Sequence, residues 1–329
     1  MEMSTPPLAS IVVITFNQEQ SLPVTLDSLL AQKTEFPFEI VVGDDCSQDG
    51  TREVLADYAR RHPDIIRPIY NERNLGILGN YVSTLANCRG KYLAACAGDD
   101  FWSDENKLQL QVDIMEQDPG TGVVYTDVIV DSTATGERFY RKSANPKPDT
   151  FTQLLHGCFV TAPTACYRAE LLQYVDWEEF KRQGFIMEDY PMWLTFSLHT
   201  KFYHLKRATL TYRIEREYIN DPRTVSLHAC KFDEGTTAVR RYFIQKYPDK
   251  TTVTIEQVED AHQKICYLAG LNMNDRKFTL DAVEKVHDRT PYVRRLARIS
   301  RSPILFAAYQ LYRRLTGKTR TPLQMYFGQ

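Results

Sequence analysis

Three stretches of this sequence place carboxylates, amides or hydroxyls directly after a run of apolar residues: Thr15-Phe16-Asn17, Gly43-Asp44-Asp45-Cys46-Ser47 and Gly98-Asp99-Asp100. Adjacent carboxylates suit a hard divalent cation, because Mg2+ and Mn2+ take oxygen ligands and often share them with a diphosphate. Such a cation would neutralise the charge that builds on a departing nucleoside diphosphate. Taken singly, each stretch would serve equally well as a turn or a helix cap. No glycine fingerprint competes for the role: GxGxxG is absent after the first apolar run, and Gly317-Lys318-Thr319 has Tyr312 where a phosphate-binding loop needs glycine.

The elements around these stretches decide whether they meet. Residues 10–16, 38–43, 66–70, 92–97 and 122–130 are short, β-branched and almost continuously apolar, as parallel strands buried on both faces are. Between them run helical stripes: Leu22, Leu26, Leu29 and Leu30 beginning near Pro23, then Val54, Leu55, Tyr58 and Ala59, then Tyr81, Val82, Leu85 and Ala86. The alternation predicts an α/β fold with a doubly wound, Rossmann-like, mostly parallel sheet. Ligands of such sheets bind beyond the carboxyl ends of the strands, where the three polar stretches lie. A further helix around Leu108, Val112 and Met115 precedes a strand or hairpin between Gly122 and Tyr140 and a polar loop at Ser143 to Asp149. The pattern is mixed from Phe151 to His228 and mainly helical from Lys231 onward.

Composition bounds the alternatives. No run approaches the roughly eighteen apolar residues of a membrane-spanning helix. Met1 to Ser10 lacks the basic start and apolar stretch of a secretory leader, so cytoplasmic residence is the expectation. The seven scattered cysteines include no CxxC pair and indicate neither a disulfide framework nor a zinc ribbon. The net charge of -2 conceals an asymmetry: Pro291 to Gln329 carries eight basic residues and no acidic one. Ser302-Pro303 opens an amphipathic helix there, with Ile304, Ala308, Leu311 and Leu315 on one face.

The ordered set SIVVITFNQEQSLPVTLDSLLAQ, EIVVGDDCSQDGT, NLG at Asn74, GKYLAACAGDDFW and MEDYPMWL resembles the inverting family 2 glycosyltransferases of the GT-A fold, over about residues 10 to 228. The resemblance implies a catalytic domain over 1–228, with a nucleotide half to about 130 and an acceptor half over 131–228, followed by a helical region with a basic amphipathic tail over 229–329. It implies metal-dependent transfer of a hexosyl unit from a nucleotide-sugar, of the UDP type, to an acceptor hydroxyl in bacterial polysaccharide or glycolipid synthesis. Thr15, Phe16 and Asn17 then line the base and ribose, and one of Asp44 and Asp45 contacts the uracil. Arg73 would help hold base or diphosphate. Asp99 sits near the ribose or the metal, and Asp100 binds the Mn2+ or Mg2+. Asp189, beside Glu188, becomes the base that takes the acceptor's proton, whereas Trp193, with Leu194 and Phe196 nearby, is expected in the core. Thr211-Tyr212-Arg213 and the later Val225-Ser226-Leu227-His228 resemble a loop closing over the diphosphate, with His228 a candidate third ligand.

Two other readings keep the same fold. A nucleotidyltransferase would make the nucleotide-sugar, but it needs a glycine-rich basic first loop where this chain has Asn17-Gln18-Glu19-Gln20. An inactive carbohydrate-binding scaffold would have no need to retain Asp44, Asp45, Asp99, Asp100 and Asp189 together. The basic segment 291–320 fits peripheral attachment to an anionic membrane on its inner face, which suits a lipid-linked sugar acceptor. An acidic body and no recognised binding fold argue against nucleic acid.

Overall fold

The computed structural model describes residues 6–132, 136–214 and 221–317. The chain divides into two compact units, the first taking residues up to 132 with 136–213, the second 214 onward.

The first unit opens with β1 (Ala9–Thr15), α1 (Leu22–Leu30), β2 (Phe38–Asp44), α2 (Thr51–Arg61), β3 (Ile66–Tyr70), α3 (Gly76–Leu85) and β4 (Tyr92–Ala97). These strands pair in parallel in the order β3-β2-β1-β4, each within about a residue of its apolar run. Leu22, Leu26 and Leu29 of α1 are fully buried, as are Leu55 of α2 and the core positions of β1 and β2. The alternation is therefore the sequence's own: β-branched runs fill the sheet and leucine stripes cover it. Helix α3 packs close enough that a Cβ on Gly43 would lie 1.9 Å from Thr84 Oγ1 and 2.6 Å from Asn80 Oδ1.

The rest of this unit holds β5 (Phe101–Trp102), α4 (Lys107–Gln117), β6 (Thr121–Ser132), β7 (Arg138–Arg141), α5 (Thr150–His156), β8 (Cys166–Arg168), α6 (Trp177–Arg182), α7 (Asp189–Ser197) and β9 (Lys201–Ile214). The sheet continues from β4 through β8, β6 and β9 to β5, and its antiparallel pairs are confined to this half. The hairpin expected after Gly122 forms as β6 and β7, in register from Val128 opposite Arg141.

The second unit is helical: α8 (Pro222–Lys246), α9 (Ile255–Asn272), α10 (Arg276–Lys285), α11 (Pro291–Arg301) and α12 (Pro303–Leu315). Residue 228 lies within α8. Each helix starts on a side-chain cap from Asp221, Thr254, Asp275, Thr290 or Ser302, and Thr254 with Gln257 makes a reciprocal capping box. Leu271, Val283, Leu296 and Phe306 build its core. The stripe Ile304, Ala308, Leu311, Leu315 is present on α12 and faces solvent. Lys318 and Arg320 of the basic tail, and residues 215–220 of the loop expected over the diphosphate, lie outside the described residues. Among the described residues no helix is long and apolar enough to cross a membrane.

The Gly43 contact is testable. Gly43→Ala should cost about 1–3 kcal/mol, because α3 must move off β2, measured as a lowered urea midpoint; an unchanged midpoint would show that Thr84 and Asn80 yield freely.

Candidate active site

Register brings the polar strand ends to one edge: Thr15 lies opposite Asp44, and Ile14 opposite both Gly43 and Ala97. Beyond that edge the chain is held by local bonds. Asn17 takes a left-handed conformation (φ 52°), which asparagine tolerates better than most residues. Its N–H donates to Ser47 Oγ at 2.9 Å and its Oδ1 accepts from Gln48 N at 2.8 Å, so Asn17 ties the loop after β1 to the loop after β2. Between these loops and the start of α3 lies a cavity of about 390 Å3, lined by Thr15, Phe16, Asp45, Asn74, Gly76 and Ala97 among others. Phe16 presents its ring there, 44% exposed.

The two aspartates after β2 have different surroundings. Asp44 is fully buried; its Oδ2 accepts from Arg52 Nε at 2.5 Å and Ser47 N at 3.3 Å, and its Oδ1 has no hydrogen-bond partner. Arg52 also donates to Asn71 O at 2.6 Å, fastening the loops after β2 and β3 together. Asp45 faces the cavity. Its carboxylate accepts from Leu75 N at 2.8 Å, Gly76 N at 2.9 Å and Asn71 Nδ2 at 3.1 Å, so a charge sits where α3 begins, as the helix dipole favours. Arg73 is an exposed loop residue just ahead of this site.

The acidic turn after β4 is clamped from α1. Ser21 Oγ donates to Gly98 O at 3.0 Å, and Thr25 Oγ1 reaches Gly98 O at 3.0 Å and Asp100 O at 2.7 Å. Gly98 has no room for a side chain: a Cβ would meet Gln18 Oε1 at 2.3 Å and Thr15 Oγ1 at 2.9 Å, two groups bonded to each other at 2.8 Å. From β9, Arg213 donates its N–H to Asp100 Oδ1 at 3.3 Å and its Nε–H to Asp99 O at 2.7 Å, with the guanidinium over Phe101. Arg213 Nη2 and Thr211 Oγ1 are buried without partners here. Asp100 is 2% exposed, and burial, then repulsion from Asp99, pushes its carboxyl well above the ordinary range.

This donor set suits a shared metal site. Two adjacent carboxylates are hard oxygen donors, and the unpartnered Nη2–H is an anion donor beside them. Among the described residues no group of three His, Cys, Asp or Glu side chains is placed to hold a metal. A Mg2+ or Mn2+ at Asp99 and Asp100 would therefore complete its shell with phosphate oxygens and water, as nucleotide-bound Mg2+ does. His228 is an exposed residue of α8.

Glu188 caps α7 through its backbone, and Asp189 is the helix's first residue. Both are half-buried. Burial raises both carboxyls above their usual range, with repulsion from Asp189 adding to the shift of Glu188, while the backbone N–H groups of Tyr190 and Asp189 offset part of the shift of Asp189. Glu188 also stands near Tyr81 and Tyr167, whose hydroxyls bond at 2.7 Å in the core. Trp193 is fully buried against Tyr167 and Phe196, in the core as expected.

Residues 10–175 match the model of Glycosyl transferase family 2. The chain belongs to that family. An uncharacterised protein of Mycobacterium tuberculosis is 43% identical over 121 residues, 37% of this chain, and the match spans only 35% of that relative's length. The putative glycosyltransferase EpsE of Bacillus subtilis is 29% identical over 59% of this chain and 68% of its own. The crystal structure of S. aureus TarS 1-349 in complex with UDP-GlcNAc covers 98% of this chain and 92% of its own, at TM-score 0.54 and 17% identity. Mannosyltransferase PcManGT from Pyrobaculum calidifontis, in complex with GDP-Man and Mn2+, covers 94% and 88% at TM-score 0.51 and 15% identity. The fold is GT-A, as the sequence led us to expect.

Several residues that shape the site of this family 2 member carried no sequence signal of their own. Ser21 precedes α1 as its N-cap and Thr25 lies among its leucines, and only their i, i+4 spacing hints that both hydroxyls reach one turn. Asn71 and Asn80, bonded to each other at 2.9 Å behind Asp45, are single amides in unremarkable contexts.

The division between Asp44 and Asp45 can be measured by a double-mutant cycle. Asp44→Ala and Arg52→Ala should each lower stability by about 1–3 kcal/mol, and the pair together by clearly less than the sum. Additive losses in urea titrations would mean that the two side chains do not act as a unit.

Proposed function

We propose that this protein is an inverting, metal-dependent glycosyltransferase that moves a sugar from a nucleotide-sugar, of the UDP type, to an acceptor hydroxyl. The observation that carries the reading is the meeting of the base-sized cavity at Thr15, Phe16 and Asp45 with the clamped turn Asp99-Asp100 at one sheet edge. TarS complexes with UDP and UDP-GlcNAc support the donor class, and PcManGT with Mn2+ supports the metal.

In this reading Phe16 stacks on the base and Asp45 accepts from its imide N–H. Asp45 is better placed for this than Asp44, because Asp45 lines the cavity and Asp44 is buried against Arg52. Thr15, Asn17 and Arg73 border the base and ribose, Asp99 stands near the ribose and the cation, and Asp100 is the principal metal ligand. A bound Mg2+ or Mn2+ would supply neutralisation of the leaving diphosphate. Arg213, with an unpartnered buried N–H, would add a second positive donor to it. Asp189 takes the acceptor's hydroxyl proton as that oxygen bonds to the anomeric carbon and the bond to the diphosphate oxygen breaks. Burial is what holds the base's affinity for the proton up, and Glu188 stands beside it.

The acceptor in this reading is a carbohydrate or lipid-linked sugar of cell-surface polysaccharide assembly, and the enzyme works on the cytoplasmic side, peripherally attached through 291–320. The relative WfgD of Escherichia coli, named a UDP-Glc:alpha-D-GlcNAc-diphosphoundecaprenol beta-1,3-glucosyltransferase, supports that class at 26% identity over 57% of this chain.

Calorimetry with UDP, with and without Mn2+, tests the donor site. Binding should strengthen with the metal, and Asp100→Ala should abolish that gain together with turnover while melting as the wild type does. Full activity in Asp100→Ala would sink the metal assignment.

The base has its own signature. A base must be ionised to act, so kcat/KM should fall as pH drops through a pKa above the aspartate range of about 4. Asp189→Asn should lose activity by about a hundredfold or more with UDP affinity kept; an acid limb at ordinary aspartate pH would reject Asp189.

A further inference from the structure

The helical unit ends on a helix turned inside out. On α12 the buried positions are Phe306, Gln310 and Arg313. Gln310 donates from Nε2 to Leu271 O at 2.7 Å, and Arg313 donates from Nη2 to Asn272 Oδ1 at 2.9 Å. The opposite side is apolar and open: Ile304 is 81% exposed, Leu315 78%, Leu311 58% and Leu305 49%. With Ala308 these residues recur at helical spacing and form a stripe roughly 16 Å long at 1.5 Å per residue. Scattered exposed leucines are ordinary on a protein surface, but a contiguous stripe with polar groups beneath it marks a surface built to meet something apolar.

The surroundings say what that is. Tyr312, 46% exposed, extends the stripe, and a groove of about 230 Å3 joins it to Arg295, Tyr292 and Tyr309. Arg294, Arg295 and Arg298 of α11 and Arg314 of α12 are all exposed, and neither helix contains an acidic residue. An aliphatic stripe with a tyrosine groove and Arg295 beside it, on two helices whose charges are all basic, suits a membrane surface, where aliphatic chains enter the acyl boundary, phenols sit at the headgroups and cations meet lipid phosphates.

We infer that the exposed face of α12 is a lipid-docking surface, with Ile304, Leu305, Ala308, Leu311 and Leu315 entering an anionic bilayer while the α11 arginines engage its headgroups. This deepens the peripheral attachment proposed above by assigning the contact to an apolar face rather than to basic charge alone. It rests on that acceptor reading for its biological sense, but its evidence lies wholly within the helical unit.

The test is cosedimentation of the full chain with vesicles of phosphatidylcholine and phosphatidylglycerol in equal parts, and of phosphatidylcholine alone. The wild type should bind the mixed vesicles. Leu311→Glu with Leu315→Glu should weaken that binding about tenfold or more, and replacing Arg294, Arg295 and Arg298 by Gln should abolish the preference for the anionic lipid. Calorimetry with UDP runs on every variant, so a failed donor site and a failed docking face give separate results. Leu311→Trp guards against misfolding of the double variant: its difference emission from the wild type should shift to the blue on adding mixed vesicles. The inference is overturned by a wild type that ignores both vesicles, by a double glutamate variant that binds as the wild type does, or by an indole that does not shift. It is overturned equally if the wild type dimerises without lipid and the glutamates abolish the dimer, since the face then belongs to a second copy of this chain.

Discussion

Thr25 shares its hydroxyl between the carbonyls of Gly98 and Asp100, and that three-centre contact is what the acidic turn at the sheet edge depends on. A carboxylate pair at a strand end would otherwise open toward solvent, because Asp99 and Asp100 repel each other and Asp100 pays a desolvation penalty in its buried position. Ser21, one turn earlier on α1, holds Gly98 as well. The fully buried leucines of α1 fix the helix on the sheet, so its packing energy is passed to the turn through two hydroxyls. Gly98 completes the arrangement, since only a residue without Cβ lets the turn lie against Thr15 and Gln18.

The same economy separates the other acidic groups. Adjacent carboxylates in one loop would compete for the same donors, yet Asp44 turns inward to Arg52 while Asp45 turns to the amides of Leu75 and Gly76. A buried aspartate with one partnered oxygen acts as a strut. An aspartate already bonded to two helix N–H groups is rigid, charged and still able to accept from a ligand, which is what a recognition group needs. At α7 the balance differs: burial raises the carboxyls of both Glu188 and Asp189, despite the backbone N–H groups at the start of the helix. Burial thus outweighs hydrogen bonding at Asp189, which is the kind of perturbed carboxyl that functional sites gather.

Much of the nucleotide half was legible in the sequence because there one physical rule acts alone. Parallel strands buried on both faces must be apolar throughout, and the helices over them must show a stripe, so β1 to β4 and α1 to α3 could be read directly. The other half mixes rules. Strand β9 runs from Lys201 to Ile214 with long charged side chains on an exposed face, which dilutes its alternation. Strands β5 and β8 have two and three residues, too few for any period. Long-range polar pairs leave no local trace at all. His204 Nε2 meets Asp127 Oδ1 at 2.8 Å and stacks on Tyr125, yet 77 positions separate it from Asp127. His204 there clamps the β6–β7 hairpin, where Asp127 also accepts from Tyr140 and Ser143.

Helix α12 shows why periodicity alone does not give direction. A stripe of Ile304, Ala308, Leu311 and Leu315 tells which residues share a face, not whether that face points inward. In water the apolar face would ordinarily win the core, since each buried leucine is worth about 1.5–3 kcal/mol. The choice is settled instead by groups on the opposite side. Phe306 enters the helical core, and Gln310 and Arg313 find complementary acceptors at Leu271 and Asn272 at the end of α9. Once Leu271 O and Asn272 Oδ1 are in place, rotating α12 to bury its leucines would strand two polar groups and an arginine charge, a loss of the same order as the gain. An exposed apolar face held outward by a satisfied polar network is stable only as a compromise, and contact with a hydrocarbon layer removes its cost without disturbing the bonds beneath.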